Sequence, residues 1–288
     1  MPYLYLIVSI FLSSSSNVLG KLFNRKNTQK KSAGVIYTFT LLLSVCLGWG
    51  IRFALDRTFD PTVLWYSLLF AICYTTVQFG VINALRHGPA VLTSLFTSLS
   101  MILTTIWGFF FWDSPLTLTV GIGLCLVVVS IVLCLYTKGS KDKAISGKWL
   151  VFVAMAFFGN AGCSIVQRTQ QVNYDGQYGN MLMFFAMVLS VLAYLVIFLK
   201  SDKQDTKAVL KTSWWMPVCS GLCNLFLNVL VMLMAVSPLS PSLIYPVIGL
   251  GGLAIVTVFS QVVFKEKMTR TQWCGIAIGA IAVLLLSI

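Results

Sequence analysis

The chain has 288 residues, of which 58% are hydrophobic and only 10% are charged. Its mean hydropathy of +0.90 excludes an ordinary soluble domain, because such a domain needs a charged exterior. The formal net charge is +12, but the cations lie in short segments between apolar blocks, so nucleic acid is not expected as a partner. Composition therefore predicts a membrane protein whose surroundings are the lipid bilayer.

Ten apolar blocks follow one another along the chain, separated by short loops. Each block is roughly 18 to 25 residues long, the length that an α-helix needs to cross a bilayer core about 30 Å thick. The first block lacks a basic leader and a small-residue cleavage site, so it is interpreted as a retained helix and not as a signal peptide. The predicted transmembrane helices are 3–22, 33–54, 62–84, 89–111, 116–136, 149–170, 178–199, 213–235, 239–264 and 270–287.

Lysine and arginine are distributed unevenly between the loops on the two sides of these helices. The odd-numbered loops hold 17 of the 20 cations, and the even-numbered loops hold only Arg52, Arg57 and Arg168. Short loops rich in lysine and arginine stay in the cytoplasm. The sequence therefore predicts a multi-pass protein of the cytoplasmic membrane with both termini outside.

An internal repeat divides the ten predicted helices into two sets of five. A shift of 152 residues superposes three pairs of identical residues, which are Pro89 on Pro241, Gly123 on Gly275 and Thr117 on Thr269. Because five is an odd number, the second set enters the membrane in the opposite direction to the first. The prediction is an all-α membrane protein with ten transmembrane helices, arranged as two inverted five-helix repeats over residues 1–140 and 146–288 that form one structural unit.

The most specific stretch runs from Pro246 to Leu286 and reads PVIGLGGLAIVTVFSQVVFKEKMTRTQWCGIAIGAIAVLLL. In it a helix ends near Glu266, and a Met-Thr pair precedes a final helix that carries glycine. Together with the repeat, this arrangement resembles the EamA-like branch of the drug/metabolite transporter superfamily. The first half departs from the pattern, since Asp113 replaces the usual glutamate and one extra residue precedes Leu116. The resemblance implies a ten-helix secondary carrier, and it does not give the substrate.

Polar side chains inside the predicted helices are candidates for a binding site. In carriers with inverted repeats the substrate lies near the bilayer midplane between the repeats, here between predicted helices 1, 3, 4, 6, 8 and 9. Lipid penalises polar groups that face it, so these side chains face other helices, where they contact either a substrate or one another. The candidate substrate-binding residues are Ser16, Asn17, Tyr74, Gln78, Thr97, Asn160, Gln167, Asn224, Asn228 and Tyr245.

Four charged residues lie near the ends of predicted helices, at corresponding places in the two repeats. Lys21 and Arg168 end matching polar stretches of the first and sixth helices, and Asp113 and Glu266 mark equivalent corners. They are interpreted either as members of a gate or as charge anchors, since long cationic side chains reach the membrane interface without any ligand.

The remaining composition narrows the function. No acidic residue lies in the middle of a predicted helix, the chain has one histidine, and its eight cysteines form no CxxC pair. Neither catalysis, a metal site nor a cofactor is therefore expected. A neutral, polar interior suits a small polar or zwitterionic metabolite such as an amino acid, a nucleobase or an amine. The sequence predicts a secondary active transporter that works by alternating access as a monomer or homodimer. A channel, a substrate-sensing receptor and a multidrug exporter are the alternatives.

Overall fold

The structure is a computed structural model that describes residues 2–111, 118–135, 146–201, 206–235, 241–265 and 268–285. Within these ranges the chain forms twelve α-helices and no β-strand. The helices are α1 (Pro2–Lys26), α2 (Ala33–Asp56), α3 (Val63–His87), α4 (Ala90–Leu99), α5 (Met101–Phe111), α6 (Leu118–Leu135), α7 (Gly147–Asn173), α8 (Gly179–Lys200), α9 (Thr206–Ser213), α10 (Trp215–Ala235), α11 (Pro241–Val262) and α12 (Arg270–Leu285).

Six of these helices are long and apolar enough to cross a membrane, namely α1, α2, α3, α7, α8 and α10. Helix α4 and parts of α6 and α11 are also apolar, but they are shorter. The chain is therefore an all-helical, multi-pass membrane protein. The number of ten transmembrane helices remains a prediction.

One predicted helix, 89–111, is divided at Ser100 into α4 and α5. In an unbroken α-helix the carbonyl oxygen of Thr97 accepts a hydrogen bond from the N–H group four residues on. In this structure that oxygen accepts from Nδ2 of Asn160 at 3.2 Å and from Oγ of Ser100 at 2.6 Å. The side chain of Asn160, on α7, thus stabilises the interruption. A second difference is α9, a separate helix that begins before the predicted helix 213–235.

The most extensive helix contacts join a helix of one half of the repeat to a helix of the other half. Helix α3 packs extensively against α7. The helices at the same place in the other half, which we call counterparts, are α10 for α3 and α1 for α7, and these two also pack against each other. Helix α2 packs against α8, α4 against α11, and α6 against α12, and in each pair the two helices are counterparts. The helices of the two halves are therefore interleaved.

Two aromatic pairs fix the relative direction of α2 and α8. Phe39 stacks on Phe198 with ring centroids 5.1 Å apart, and Phe53 stacks on Phe184 with centroids 5.2 Å apart. A residue near the start of each helix thus contacts one near the end of the other. The two helices are antiparallel, and the spacing of 145 residues relates Phe39 to Phe184 and Phe53 to Phe198.

Glycines allow α3 and α7 to approach closely, as small residues do in membrane helix pairs. A Cβ atom on Gly80 would lie 2.7 Å from the carbonyl oxygen of Phe152 and 2.7 Å from the backbone nitrogen of Ala156. A Cβ atom on Gly159 would lie 2.9 Å from the carbonyl oxygen of Cys73. At both places the added atom would overlap backbone atoms of the neighbouring helix, which cannot move aside as the end of a flexible side chain can.

We expect the Gly80→Ala variant to be destabilised by about 1–3 kcal/mol, since the added methyl group overlaps the backbone of α7. Gly121→Ala on α6 is the matched control, because a Cβ atom there meets nothing within 4 Å. Its free energy of unfolding should be unchanged or slightly higher, since alanine is the better helix former. Denaturation in mixed detergent micelles measures both variants, and equal losses would contradict the assigned contact.

Candidate functional site

A cavity of about 290 Å³ lies between α1, α3, α4, α7, α10 and α11. These are the helices between which the sequence predicted a binding site, and both halves of the chain contribute to the wall. The wall combines hydroxyl and amide groups with apolar side chains, among them Phe70 and Leu253.

The structure brings most of the predicted substrate-binding residues together in this wall. They are Ser16 and Asn17 on α1, Tyr74 and Gln78 on α3, Thr97 on α4, Asn160 and Gln167 on α7, and Asn224 and Asn228 on α10. The backbone of Tyr245 belongs to α11, but its side chain lies outside the described residues. That these side chains bind a substrate stays a prediction, since their position alone does not test it.

Sequence reasoning missed three hydroxyl groups of the wall, contributed by Ser94, Ser98 and Ser164. Ser94 and Ser98 are four residues apart on α4, next to Thr97, so a helical period was available as a signal. The interruption at Ser100 limits this polar face to α4, and that interruption depends on a side chain from the other half.

A chain of hydrogen bonds joins the two halves across the cavity. The hydroxyl of Tyr74 on α3 donates to Oδ1 of Asn224 on α10 at 2.8 Å. Nδ2 of Asn228 donates to the same oxygen at 3.2 Å and to the carbonyl oxygen of Asn224 at 2.9 Å. Asn224 is thus held by both neighbours, while the bonds donated by Asn228 stay within its own helix.

Two further contacts join helices of opposite halves beside the cavity. Nδ2 of Asn160 donates to Oγ of Ser100 at 2.8 Å, in addition to its bond to Thr97. The hydroxyls of Ser16 on α1 and Ser220 on α10 are 2.6 Å apart. These pairs connect α7 to α4 and α1 to α10, so the interpretation of the polar residues as interhelical contacts applies to Asn160 and Ser16.

The wall of the cavity carries no formal charge in the part of the chain that the structure describes. Two of its polar atoms, Nε2 of Gln167 and Oγ of Ser94, are buried and lack a hydrogen-bond partner among the described residues. An unpartnered buried polar atom costs free energy. A bound polar ligand or water that reaches these atoms would remove that cost.

At one end of the bundle the α3–α4 connection lies against the first turn of α7, and buried side chains of α4 and α7 fill the space between the helices. We call this the cation-rich end. The indole of Trp149 is fully buried there, and its Nε1 donates to Oγ1 of Thr93 at 3.2 Å. Phe96 packs against the indole edge-on, with ring centroids 5.8 Å apart. A Cβ atom on Gly88 would lie only 2.2 Å from the indole, so the α3–α4 connection rests directly on Trp149.

The predicted gate residues have different surroundings. Nζ of Lys21 donates to the carbonyl oxygen of Gly88, which places Lys21 at the cation-rich end and outside the cavity wall. Arg168 is exposed on α7 and is not part of the cavity wall. Asp113 and Glu266 lie outside the described residues, so the gate and anchor interpretations of these two carboxylates stay predictions.

Comparison with known proteins identifies the class of this fold. The sequence model of the EamA-like transporter family matches residues 1–136 and residues 145–288. The chain belongs to the EamA-like transporter family, and the resemblance found in the sequence is confirmed. Members of this family are transporters and not enzymes, so the chain is a multi-pass, transporter-like membrane protein. No curated protein matches the chain.

A solved structure titled "Crystal structure of protein" has a similar fold. The TM-score is 0.56 and the sequence identity is 13%, and the alignment covers 96% of this chain and 95% of that chain. At this identity the likeness shows the fold alone.

A double-mutant cycle tests the bond between Tyr74 and Asn224. We expect Tyr74→Phe and Asn224→Ala to be non-additive, with a coupling free energy of about 0.6 kcal/mol, typical of hydrogen bonds between membrane helices. Combining Tyr74→Phe with Asn173→Ala is the control, because Asn173 donates instead to Tyr66. Unfolding in mixed micelles gives the energies, and a coupling of zero in the first cycle would show that the two side chains do not interact.

Loss of the Lys21 side chain should destabilise the α3–α4 connection at the cation-rich end. In Lys21→Met the carbonyl oxygen of Gly88 loses its donor, which costs about 0.5–1.5 kcal/mol and speeds local amide exchange roughly two- to tenfold. Hydrogen–deuterium exchange of peptides covering 85–92 measures this. Lys200→Met, at the exposed end of α8, is the control and should leave these peptides unchanged. Equal exchange in wild type and Lys21→Met would show that the bond from Lys21 does not stabilise the α3–α4 connection.

Proposed function

We propose that the chain is a secondary active transporter that moves a small polar or zwitterionic metabolite across the cytoplasmic membrane by alternating access. The observation that carries the proposal is the cavity, whose uncharged polar wall is built by both halves of the chain. A site shared between two repeats can be opened to either side by movement of one repeat against the other.

The helix contacts support the alternating-access part of the proposal. Counterpart helices such as α2 and α8 are antiparallel, which fits two repeats inserted in opposite directions. In such an arrangement, exchanging the conformations of the two halves converts a state closed at one end into a state closed at the other. In this proposal the contacts around Lys21 and Trp149 would stabilise a state closed at the cation-rich end.

Size and polarity support a small metabolite over a large lipophilic drug. The volume of about 290 Å³ lies just below the range that is typical of small-molecule sites, about 300–1,000 Å³. Each carboxamide offers both donors and acceptors, so the wall can pair with either kind of polar group on a ligand. An unpaired ion would lose its hydration without gaining a counterion, which favours a neutral or zwitterionic ligand such as an amino acid or a nucleobase.

The orientation in the membrane is part of the same proposal and rests on the 17 cations in odd-numbered loops. It places the cation-rich end in the cytoplasm and both termini outside. The cavity would then be closed toward the cytoplasm, and the protein would act as a monomer or homodimer.

Two successive measurements test the function. A thermal-shift screen of the purified protein against amino acids, nucleobases, sugars and choline-like amines finds ligands, since binding to the folded state alone raises the unfolding temperature. Counterflow of a ligand found in this way is then measured in liposomes. Saturable counterflow is expected from a carrier, whereas ohmic single-channel currents would establish a channel and overturn the proposal.

Asn228→Ala should weaken binding of a ligand found in the screen roughly fivefold to tenfold, because one hydrogen bond of about 1–1.4 kcal/mol is lost. The bonds that Asn228 donates go to its own helix, so we expect the fold to be retained. Asn173→Ala is the matched control, since this asparagine is exposed and outside the cavity wall. If Asn228→Ala binds as wild type does, the assignment of the cavity as the binding site is wrong.

A further inference from the structure

Helix α9 has a position that the cavity does not explain. It is eight residues long, or about 12 Å, whereas the bilayer core is about 30 Å thick. Nζ of Lys26 donates to the carbonyl oxygen of Thr212 at 3.0 Å, and Nδ2 of Asn27 donates to Oγ of Ser213 at 3.4 Å. These bonds fasten α9 beside the last turn of α1, at the cation-rich end of the bundle. A helix in this place lies at the boundary between membrane and water.

One face of α9 is turned toward the protein. Val209 and Ser213, four residues apart, are only 1% and 0% exposed. Val209 belongs to the core cluster that includes α2, and α9 contacts α2. This stripe attaches α9 to the rest of the protein, so the other side chains of α9 face the membrane or the water.

The remaining side chains separate into an apolar stripe and a basic stripe. Leu210 and Trp214 are 37% and 56% exposed, and they share a stripe because the N–H group of Trp214 donates to the carbonyl oxygen of Leu210 at 3.3 Å. Lys207 and Lys211 are exposed and also four residues apart. Successive residues of a helix turn by about 100°, so the basic stripe borders the apolar one.

This order of stripes matches the chemistry of a lipid near its headgroup. Tryptophan prefers the level of the headgroups, leucine contacts the first part of an acyl chain, and lysine reaches outward to the phosphate. Basic side chains next to the membrane surface attract anionic lipids in particular. Trp215, the first residue of α10, follows directly and is also exposed, at 43%.

We propose that α9 with Trp214 is a binding surface for membrane lipids with anionic headgroups. Lys207 and Lys211 contact the phosphate, and Leu210 and Trp214 contact the acyl chain below it. The apolar stripe beside the lysines distinguishes a lipid from a soluble phosphate compound, which would leave Leu210 and Trp214 without a partner. This assignment does not depend on the transported substrate.

Lipid retention by the purified full-length protein tests the proposal. The protein in detergent is mixed with phosphatidylglycerol or with phosphatidylcholine, and native mass spectrometry counts the lipids that stay bound. Wild type should retain roughly threefold or more of the anionic lipid relative to the zwitterionic one. The Lys207→Gln/Lys211→Gln double variant should lose most of this preference. Added inorganic phosphate should not compete, which separates a lipid site from a phosphate site.

Lys148→Gln/Lys200→Gln is the matched control, because it removes two exposed lysines outside α9. It should retain the wild-type preference, and Trp214→Ala should lower the retention of both lipids. The proposal is overturned if the α9 double variant keeps the wild-type preference, if both double variants lose it equally, or if phosphate displaces the lipid. An absence of preference in wild type would also overturn it, as expected if Asp202 and Asp205, which precede α9 in the sequence, neutralise the lysines.

Discussion

The close approach of α3 to α7 is the contact on which the cavity depends. Backbone meets backbone at Gly80 and Gly159, and the same two helices contribute Tyr74, Gln78 and Asn160 to the wall. If the helices separated, these polar groups would face lipid, where each unsatisfied group costs several kcal/mol. The glycines therefore have a second effect besides close packing. They keep a polar surface between helices in an environment that supplies no hydrogen bonds of its own.

The contact between the counterpart helices α1 and α10 also encloses polar groups, but it does so with other side chains. Ser16 and Ser220 form a hydrogen bond across that contact, whereas α3 and α7 approach each other at glycines. The two pairs of helices thus use different side chains, although the helices pair in the same pattern. The pattern preserves the enclosure of the cavity, and the differing side chains give its two sides different chemistry. If the cavity binds a ligand as proposed, the two ends of that ligand would meet unlike walls.

The sequence predicted those features that depend on one helix at a time. A polar residue in an apolar helix must face inward, so the positions of Tyr74 and Asn224 in the cavity followed from their surroundings in the sequence. Features that need two helices were missed. The interruption at Ser100 involves contacts of Asn160 from the other half, and the space at the cation-rich end is filled by Trp149, an apolar residue in an apolar block. Helix α9 was missed because its short amphipathic pattern resembles a charged loop.

Cations of α1 bind backbone carbonyl groups at the cation-rich end. The carbonyl oxygens at the ends of helices lack a partner within the helix and carry partial negative charge. Three cations of α1 donate to carbonyl groups at or near such ends, Lys21 to Gly88, Arg25 to Val263 and Lys26 to Thr212. An ion pair that opens inside a protein leaves a carboxylate to be solvated, whereas these bonds leave only a neutral carbonyl and a cation close to water. Such contacts hold α1 to α3, α9 and α11, and they can be broken at low cost. The proposed alternating-access cycle would need contacts of this kind, which form and break as the ends of the helices move.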